Sequence, residues 1–211
     1  MKKIFLQMII ATMFSLNVIS QNSTTDPGVV INEVKWATRN VDKPGTFTGK
    51  PEDAGMFYQW NRKVAWPATG SVRNWYNNSP TDTAWEKNND PSPTGWRVPT
   101  LNEIKTLFDT DKVRSEWLTV NGVNGRKFTD KATGNSIFLP ATGQRRGSDG
   151  RLDDIGSCGS YWSSTKNPIG SFSTQNGGYR AYGFGFGEGF ADWSDGDCRN
   201  GISVRSVTTR N

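Results

Sequence analysis

Four acidic side chains near the C-terminus come closest to a recognisable chemistry. Asp192, Asp195 and Asp197 follow one another closely, and Glu188 precedes them. Because Ca²⁺ binds several closely spaced oxygen ligands, this segment is a candidate calcium site. The alternative is an ordinary acidic surface loop, since exposed carboxylates are common. Calcium is the one cofactor that the residue types suggest, and the sequence requires none.

The remaining reactive residues argue against catalysis. The chain has no histidine, which excludes Ser-His-Asp and Cys-His nucleophiles and histidine-based zinc sites. Its two cysteines, Cys158 and Cys198, lack the short spacing of a metal-binding cysteine motif. Asp153 and Asp154 are adjacent in a glycine-rich segment, where such residues more often cap turns than act as acid and base. The sequence therefore predicts a protein that is not an enzyme.

The charge distribution gives no sign of a nucleic-acid partner. The formal net charge is +5 and falls to +3 if a leader with two lysines is removed. Basic residues are scattered and form no stripe. The one local cluster, Arg145, Arg146 and Arg151, lies among glycine, serine and aspartate. We interpret it as a solvated loop.

The N-terminus predicts export. Lys2 and Lys3 precede an apolar run, Ile4–Leu16, that is too short to span a bilayer, and Val18–Ser20 supplies a cleavage site. We expect residues 1–20 to be a signal peptide. The mature protein is then secreted, periplasmic or on the cell surface, with no membrane span.

Export also bears on the cysteines. In an oxidising compartment two cysteines can pair, so Cys158 and Cys198 are a candidate disulfide. Two free thiols are an equal alternative. A bond would tie the loop before Tyr161 to the loop before the last strand.

The elements that must position these residues are short. Val29–Trp36 alternates apolar and polar residues and is predicted to be one strand. Thr100 and Glu103 form a capping-box pattern, and apolar residues follow at helical spacing over Ile104–Phe108, so a helix is expected to begin at Thr100. Asp109–Glu116 is expected to prolong or follow that helix.

The rest of the chain is rich in turn residues. Residues 63–93 are predicted to be a long loop pinned by Trp66, Trp75 and Trp85, and Thr133–Asn135 is the best hairpin signal. A small helical complement followed by short antiparallel strands predicts an α+β fold. The expected strands are Arg126–Thr129, Ser136–Pro140, Gly159–Ser164, Tyr179–Phe186, Phe190–Trp193 and Gly201–Val207.

Phe190–Asn200 is the candidate binding surface, because its small and polar side chains cannot build a core and binding often lies on loops of a rigid scaffold. An ordinary solvated loop is the alternative. Trp193 is either an aromatic anchor for a ligand or a core residue. In the preceding strand, alternation places Tyr182, Phe184 and Phe186 on one face and two glycines on the other, where a flat partner or sugar ring could fit. The candidate ligand-binding residues are Arg180, Gly183, Gly185, Phe190, Asp192, Trp193, Ser194, Asp195, Asp197, Arg199 and Asn200.

Several blocks of the sequence together resemble the Fibrobacter succinogenes major paralogous domain family. Asp90–Glu103 reads DPSPTGWRVPTLNE and is similar to the family's DPCPxGWRVPTxxE block. Phe138–Gly143 (FLPATG), Tyr161–Thr165 (YWSST) and Gly201–Arg205 (GISVR) also match, in the family's order and spacing. Ser92 replaces the usual cysteine of the first block, so a family disulfide through that position is absent.

The resemblance implies a C-type-lectin-like fold with few helices and short antiparallel strands. The variable proteins of diversity-generating retroelements share that fold and diversify its final hairpin and the loop before the last strand. That region corresponds here to residues 179–205, in which Ala181–Phe186 (AYGFGF) resembles the family's AYxLxF core. Adenine-directed mutagenesis of asparagine codons could produce every residue of Asp192–Asn200 except Trp193.

We therefore expect a signal peptide (1–20), a linker (21–33) and a C-type-lectin-like domain (34–208). The expected function is to display a variable surface that binds a protein or glycan on a cell or phage. The alternatives are a calcium-dependent carbohydrate-binding lectin, whose WND…C block Trp193–Cys198 resembles, and an adhesin of fixed specificity. A formylglycine-generating type of enzyme, which shares the implied fold, would need a reactive cysteine pair.

Overall fold

The computed structural model describes residues 23–168 and 179–208. The chain is built mostly from antiparallel β-sheets, with 40% of residues in strands and 6% in helices. The predicted α+β class is therefore wrong, and the fold is all-β-like. The physical reason is that the helix beginning after Thr100 ends at Lys105. The following segment, expected to prolong or follow it, contributes instead to a long β-hairpin.

The bounds of the elements show how short most of them are. The α-helix of the described residues is α1 (Leu101–Lys105), and 3-10 turns follow it at Thr106–Phe108 and precede it at Lys87–Asn89. The strands are β1 (Val29–Ile31), β2 (Val34–Trp36), β3 (Met56–Phe57), β4 (Trp66–Pro67), β5 (Trp96–Arg97), β6 (Val113–Val120), β7 (Val123–Asp130), β8 (Ser136–Pro140), β9 (Gln144–Arg145), β10 (Leu152–Asp153), β11 (Gly159–Lys166), β12 (Arg180–Phe186), β13 (Ala191–Asp197) and β14 (Val207–Thr208).

The strands form three larger sheets and two small ladders. One sheet has the order β1-β2-β14-β5 and joins the beginning of the described chain to its end. A second is the meander β6-β7-β8, and a third has the order β11-β12-β13. The ladders are β3-β4 and β9-β10. All neighbouring strands pair antiparallel, which suits the short connections between most of them.

The predicted capping box and hairpin turn are confirmed, whereas the prediction of a single first strand is wrong. The helix has the predicted capping box, in which Thr100 Oγ1 accepts from the Glu103 N–H at 3.3 Å and Glu103 Oε2 accepts from the Thr100 N–H at 2.8 Å. The predicted hairpin turn joins β7 to β8, with Gly134 at a φ of 76°. Val29–Trp36 is two paired strands, because Asn32 and Glu33 adopt positive φ and reverse the chain.

Two apolar clusters lie on opposite faces of β11-β12-β13. Tyr161, Phe184 and Phe186 belong to the cluster that also contains the helix residues and the inner face of the meander. Trp162 and Ala181 belong to a second cluster with residues such as Trp60. Successive residues of a strand point to opposite faces, which explains why Tyr161 and Trp162 lie in different clusters. The sheet is therefore the wall between the two halves of the core.

A buried arginine corrects the interpretation of the basic cluster as a solvated loop. Arg145 is fully buried. Its guanidinium donates to carbonyl groups between Pro67 and Gly70, and to that of Gly150, at 2.6 to 3.0 Å. The other two arginines of the cluster are exposed. Because the hydrogen bonds of the Arg145 side chain go to backbone oxygens, this residue holds the surrounding loops in place.

The predicted signal peptide, residues 1–20, lies outside the described residues, as do the first two residues of the predicted linker. Within the described part of the chain, no helix has the length and apolar character needed to cross a bilayer.

Candidate functional site

The site is positioned by the register of three strands. In the pairing of β11 with β12, Trp162 lies opposite Gly183 and Ser160 lies opposite Gly185. On the other side of β12, Gly183 faces Ser194 of β13. Directly opposite residues of an antiparallel pair share one face of the sheet. One face of this sheet therefore carries two glycines flanked by small polar side chains and a tryptophan.

A cavity of about 290 Å³ lies over this face, and we call it the glycine groove. It contains seven of the eleven predicted ligand-binding residues, which come from β12, β13 and the loop that follows. Those seven are Arg180, Gly183, Gly185, Ser194, Asp195, Asp197 and Asn200. The structure therefore brings these seven residues together around one concavity.

The glycines of the groove are not equivalent. A Cβ atom at Gly183 would lie 2.4 Å from the backbone oxygen of Tyr161, so this position needs glycine for packing. At Gly185 the nearest atom to an added Cβ is the oxygen of Gly159, at 3.6 Å, which is an ordinary contact. At Gly196 it is the indole ring of Trp162, also at 3.6 Å. The groove thus has one position closed to side chains and two that can accept them.

The charges around the groove are paired with one another. Arg180 Nε donates to Asp195 Oδ2 at 2.8 Å, and Asn167 Nδ2 donates to the same oxygen at 2.7 Å. The hydrogen bond from Arg180 is the largest cause that holds the pKa of Asp195 below its ordinary value. Arg199 Nη2 donates to Asp197 Oδ2 at 2.5 Å, which raises the pKa of Arg199. The groove therefore presents polar groups with little unbalanced charge.

The structure places four predicted residues outside the groove. Phe190 is 55% exposed in the turn between β12 and β13. Trp193 is 38% exposed, and Lys105 Nζ lies 4.2 Å from its ring centroid, so it packs on the helix side of the sheet. Asp192 lines a different cavity. Arg199, bound to Asp197, lies beside the groove.

The candidate calcium ligands are not brought together. Across residues 23–168 and 179–208 there is no group of three or more His, Cys, Asp or Glu side chains that could hold a metal ion. Asp195 and Asp197 are each bound to an arginine. Oδ1 of Asp192 accepts the Trp193 N–H at 2.7 Å. These carboxylates act as local hydrogen-bond acceptors.

The two cysteines are free thiols in this structure. Cys198 is fully buried, and its backbone N–H donates to the Tyr179 oxygen at 2.9 Å. Burial raises the pKa of the Cys198 thiol to about 12, so it is protonated at neutral pH and a poor nucleophile. Cys158 is half-buried.

Sequence reasoning missed several groove residues for two different reasons. Ser160 and Trp162 could have been found from the register of β11 against the glycines. Gln144 and Ile202 have no such signal, because a pairing between residues far apart in sequence brings them to the groove. The N–H of Arg145 donates to the Gly201 oxygen at 2.8 Å, and the N–H of Gly201 donates to the Arg145 oxygen at 2.9 Å. The other missed lining residues are Phe184 and Gly196.

No family model, curated protein or solved structure matches the chain. The blocks that suggested a family can still be described by their contacts here. In the DPSP segment, Asp90 accepts the backbone N–H groups of Ser92 at 2.8 Å and Val98 at 3.0 Å. In the GISVR segment, Arg205 is fully buried and donates to Asn40 Oδ1 at 2.9 Å. These two block residues therefore link separate parts of the chain through hydrogen bonds.

Proposed function

We propose that this chain is a secreted or surface ligand-binding protein whose binding site is the glycine groove. The observation that carries the proposal is the convergence of seven predicted residues on one cavity over the glycine face. Ligand sites are usually concave, and polar groups placed in them fix the orientation of the ligand. The buried, protonated Cys198 supports binding over a catalytic role that needs a reactive thiol.

The partner we propose is a protein or glycan on a cell or phage surface. The arginines that flank the groove are already paired with carboxylates. A ligand would therefore be held by hydrogen bonds and shape complementarity, with no requirement for a cofactor. Small polar side chains such as Ser160 and Ser194 leave room for groups of the ligand.

The finer proposal is that residues 179–205 vary among copies of this gene, as in a variable protein of a diversity-generating retroelement. Asp192, Trp193 and Ser194 are exposed on β13, and Gly185 has room for a side chain. Exposed positions away from packing constraints tolerate most substitutions with small effects on stability. A surface of this kind can change its chemistry while the strands beneath it stay the same.

Binding at the groove is tested by filling it. Gly185→Leu places a large side chain in the open part of the groove, while Gly189→Leu, at an exposed glycine with no neighbour within 4 Å, is the matched control. Labelled wild-type protein is compared with both variants on a glycan array, on intact bacterial cells and on phage particles. We expect Gly185→Leu alone to lose binding. Equal binding by the three proteins would place the site elsewhere.

Variation is tested by deep sequencing of codons 179–205 in a population of the source strain. Substitutions confined to adenine positions of asparagine-type codons, beside a reverse transcriptase gene, are the expected result. A uniform sequence with no template copy nearby would overturn the finer proposal. A binding protein of fixed specificity would then remain.

A further inference from the structure

A second cavity, of about 690 Å³, lies beside the loop that leads into the helix. We call it the tryptophan cavity, because Trp85 and Trp96 contribute to its wall. It shares no lining residue with the glycine groove. Its volume is within the range of sites that bind small molecules or short oligosaccharides.

The two tryptophans are held in place by other rings. Trp85 meets Trp60 edge to face with the ring centroids 5.8 Å apart, and its backbone N–H donates to Ser164. Trp96 meets Phe47 at 5.5 Å in the same manner. Trp96 remains half-buried. The cavity therefore has a preformed aromatic wall on which an apolar face of a ligand can pack.

The charges at the cavity differ from those at the groove. Lys63 and Lys87 are exposed and form no ion pair with any of the described residues. Arg97 is held by Glu103, with Nη1 and Oε2 2.8 Å apart. Asp90 is occupied by backbone N–H groups. The two lysines therefore outweigh the single carboxylate of Asp90, which leaves the mouth of this cavity positively charged.

Hydroxyl groups complete the lining. Thr94 is exposed at the loop, and Ser164 lies on β11. Ser92 also lines the cavity, and its Oγ is 2.7 Å from Oγ of the buried Ser206, which leaves Ser92 Oγ further hydrogen-bonding capacity for a ligand. An aromatic wall, hydroxyl groups and cations suit a ligand with an apolar face, several hydroxyls and an anionic group.

We propose that the tryptophan cavity binds an acidic sugar, a hexuronate unit of a polysaccharide. The carbon–hydrogen face of the sugar ring packs on Trp96, and its hydroxyls meet the serine and threonine side chains. Its carboxylate lies near Lys63 and Lys87 in charge-assisted contacts. This site does not depend on the function proposed for the glycine groove.

The test is calorimetric titration of the full-length mature protein with trigalacturonate, and with maltotriose as a neutral trisaccharide. We expect binding of trigalacturonate that weakens as salt is added, since exposed charges are screened. The variant Lys63→Glu/Lys87→Glu is expected to bind at least tenfold more weakly. Both lysines are exposed, so this variant should keep the wild-type melting temperature, which is measured alongside.

Two controls make the result specific. Lys112→Glu changes an exposed lysine away from the cavity and is expected to bind like the wild type. Gly185→Leu fills the groove and should also bind trigalacturonate normally, which separates this proposal from the first. Failure of trigalacturonate to bind at millimolar concentration overturns the proposal. Equal binding of maltotriose, or an equal loss in Lys112→Glu, overturns it as well.

Discussion

β11 and β13 flank the same central strand, yet they differ in burial and in the pairing of their outer edges. Most of the first half of β11 is buried, and its free edge is bridged by Gly143 and Ser203. In the described part of the chain β13 pairs with β12 alone, and Asp192, Trp193 and Ser194 are exposed. Within one sheet, burial by neighbouring segments therefore separates a closely packed strand from one with exposed side chains.

The largest expected difference in the free energy of unfolding comes from replacing a tryptophan by alanine on each of the two strands. Trp162 is 1% exposed, and its Nε1–H donates to the Tyr58 oxygen at 2.7 Å. Trp162→Ala should lower the free energy of unfolding by about 3–5 kcal/mol, because it leaves a cavity in the core. Trp193→Ala should cost about 1 kcal/mol or less, since that ring is partly exposed. Urea unfolding followed by circular dichroism measures both, and equal losses would contradict the comparison.

A smaller difference in stability is expected between alanine substitutions at two glycines of β12. Gly183→Ala pushes a methyl group against the Tyr161 backbone oxygen and should cost about 1–3 kcal/mol through overpacking. Gly185→Ala meets nothing closer than 3.6 Å and should stay within about 1 kcal/mol of the wild type. Melting temperatures of the two variants decide the matter. A lower melting temperature for Gly185→Ala than for Gly183→Ala would reverse the assignment.

The ion pair at the end of β13 gives a pH-dependent effect. The hydrogen bond from Arg180 lowers the pKa of Asp195 below its ordinary value of 3.8. The stability that this pair supplies is present above the unfolded-state pKa and is lost as the pH falls through the lower folded-state pKa. Asp195→Asn should therefore be less stable than wild type near pH 7, by less than about 1 kcal/mol because the pair is partly exposed. The two proteins should converge toward pH 2, and a constant difference across that range would refute the pairing.

The smallest effects are expected at the exposed positions of β13. Asp192→Ser and Ser194→Tyr should each change the free energy of unfolding by no more than about 0.5 kcal/mol. Urea unfolding followed by circular dichroism, applied to a library varied at these two positions, should show that most variants are folded. If few variants were folded, the exposed positions of β13 would not tolerate substitution as we predict.

Patterns confined to neighbouring residues predicted the structure well. The capping box at Thr100 and the turn around Gly134 depend on contacts within a few residues, and both occur as expected. The strand Ser136–Pro140 has the predicted bounds. Asn32 and Glu33 broke the first predicted strand, because a reversal through positive φ leaves little trace in the alternation of apolar residues.

Features that depend on distant contacts escaped prediction. The sequence showed Arg145 only as one of several basic residues, whereas its burial depends on carbonyl groups more than seventy positions away. Gln144 and Ile202 reach the groove through the same long-range pairing. Most of the groove was predictable because β12, β13 and the following loop are contiguous in sequence. The wall formed by Gln144 and Ile202 was not predictable, because it depends on the pairing of residues far apart in sequence.

The one-sided pairing of β13 also bears on self-association. An unpaired edge offers backbone donors and acceptors to a strand of another molecule, and proteins commonly block such growth with charged side chains. Asp195 and Asp197 are balanced by Arg180 and Arg199, so Asp192 is the carboxylate that would bring like charges together if two copies aligned along this edge. Replacing Asp192 by an apolar residue would remove that charge and favour edge-to-edge association through β13. The charge of Asp192 thus opposes the pairing of two copies through β13.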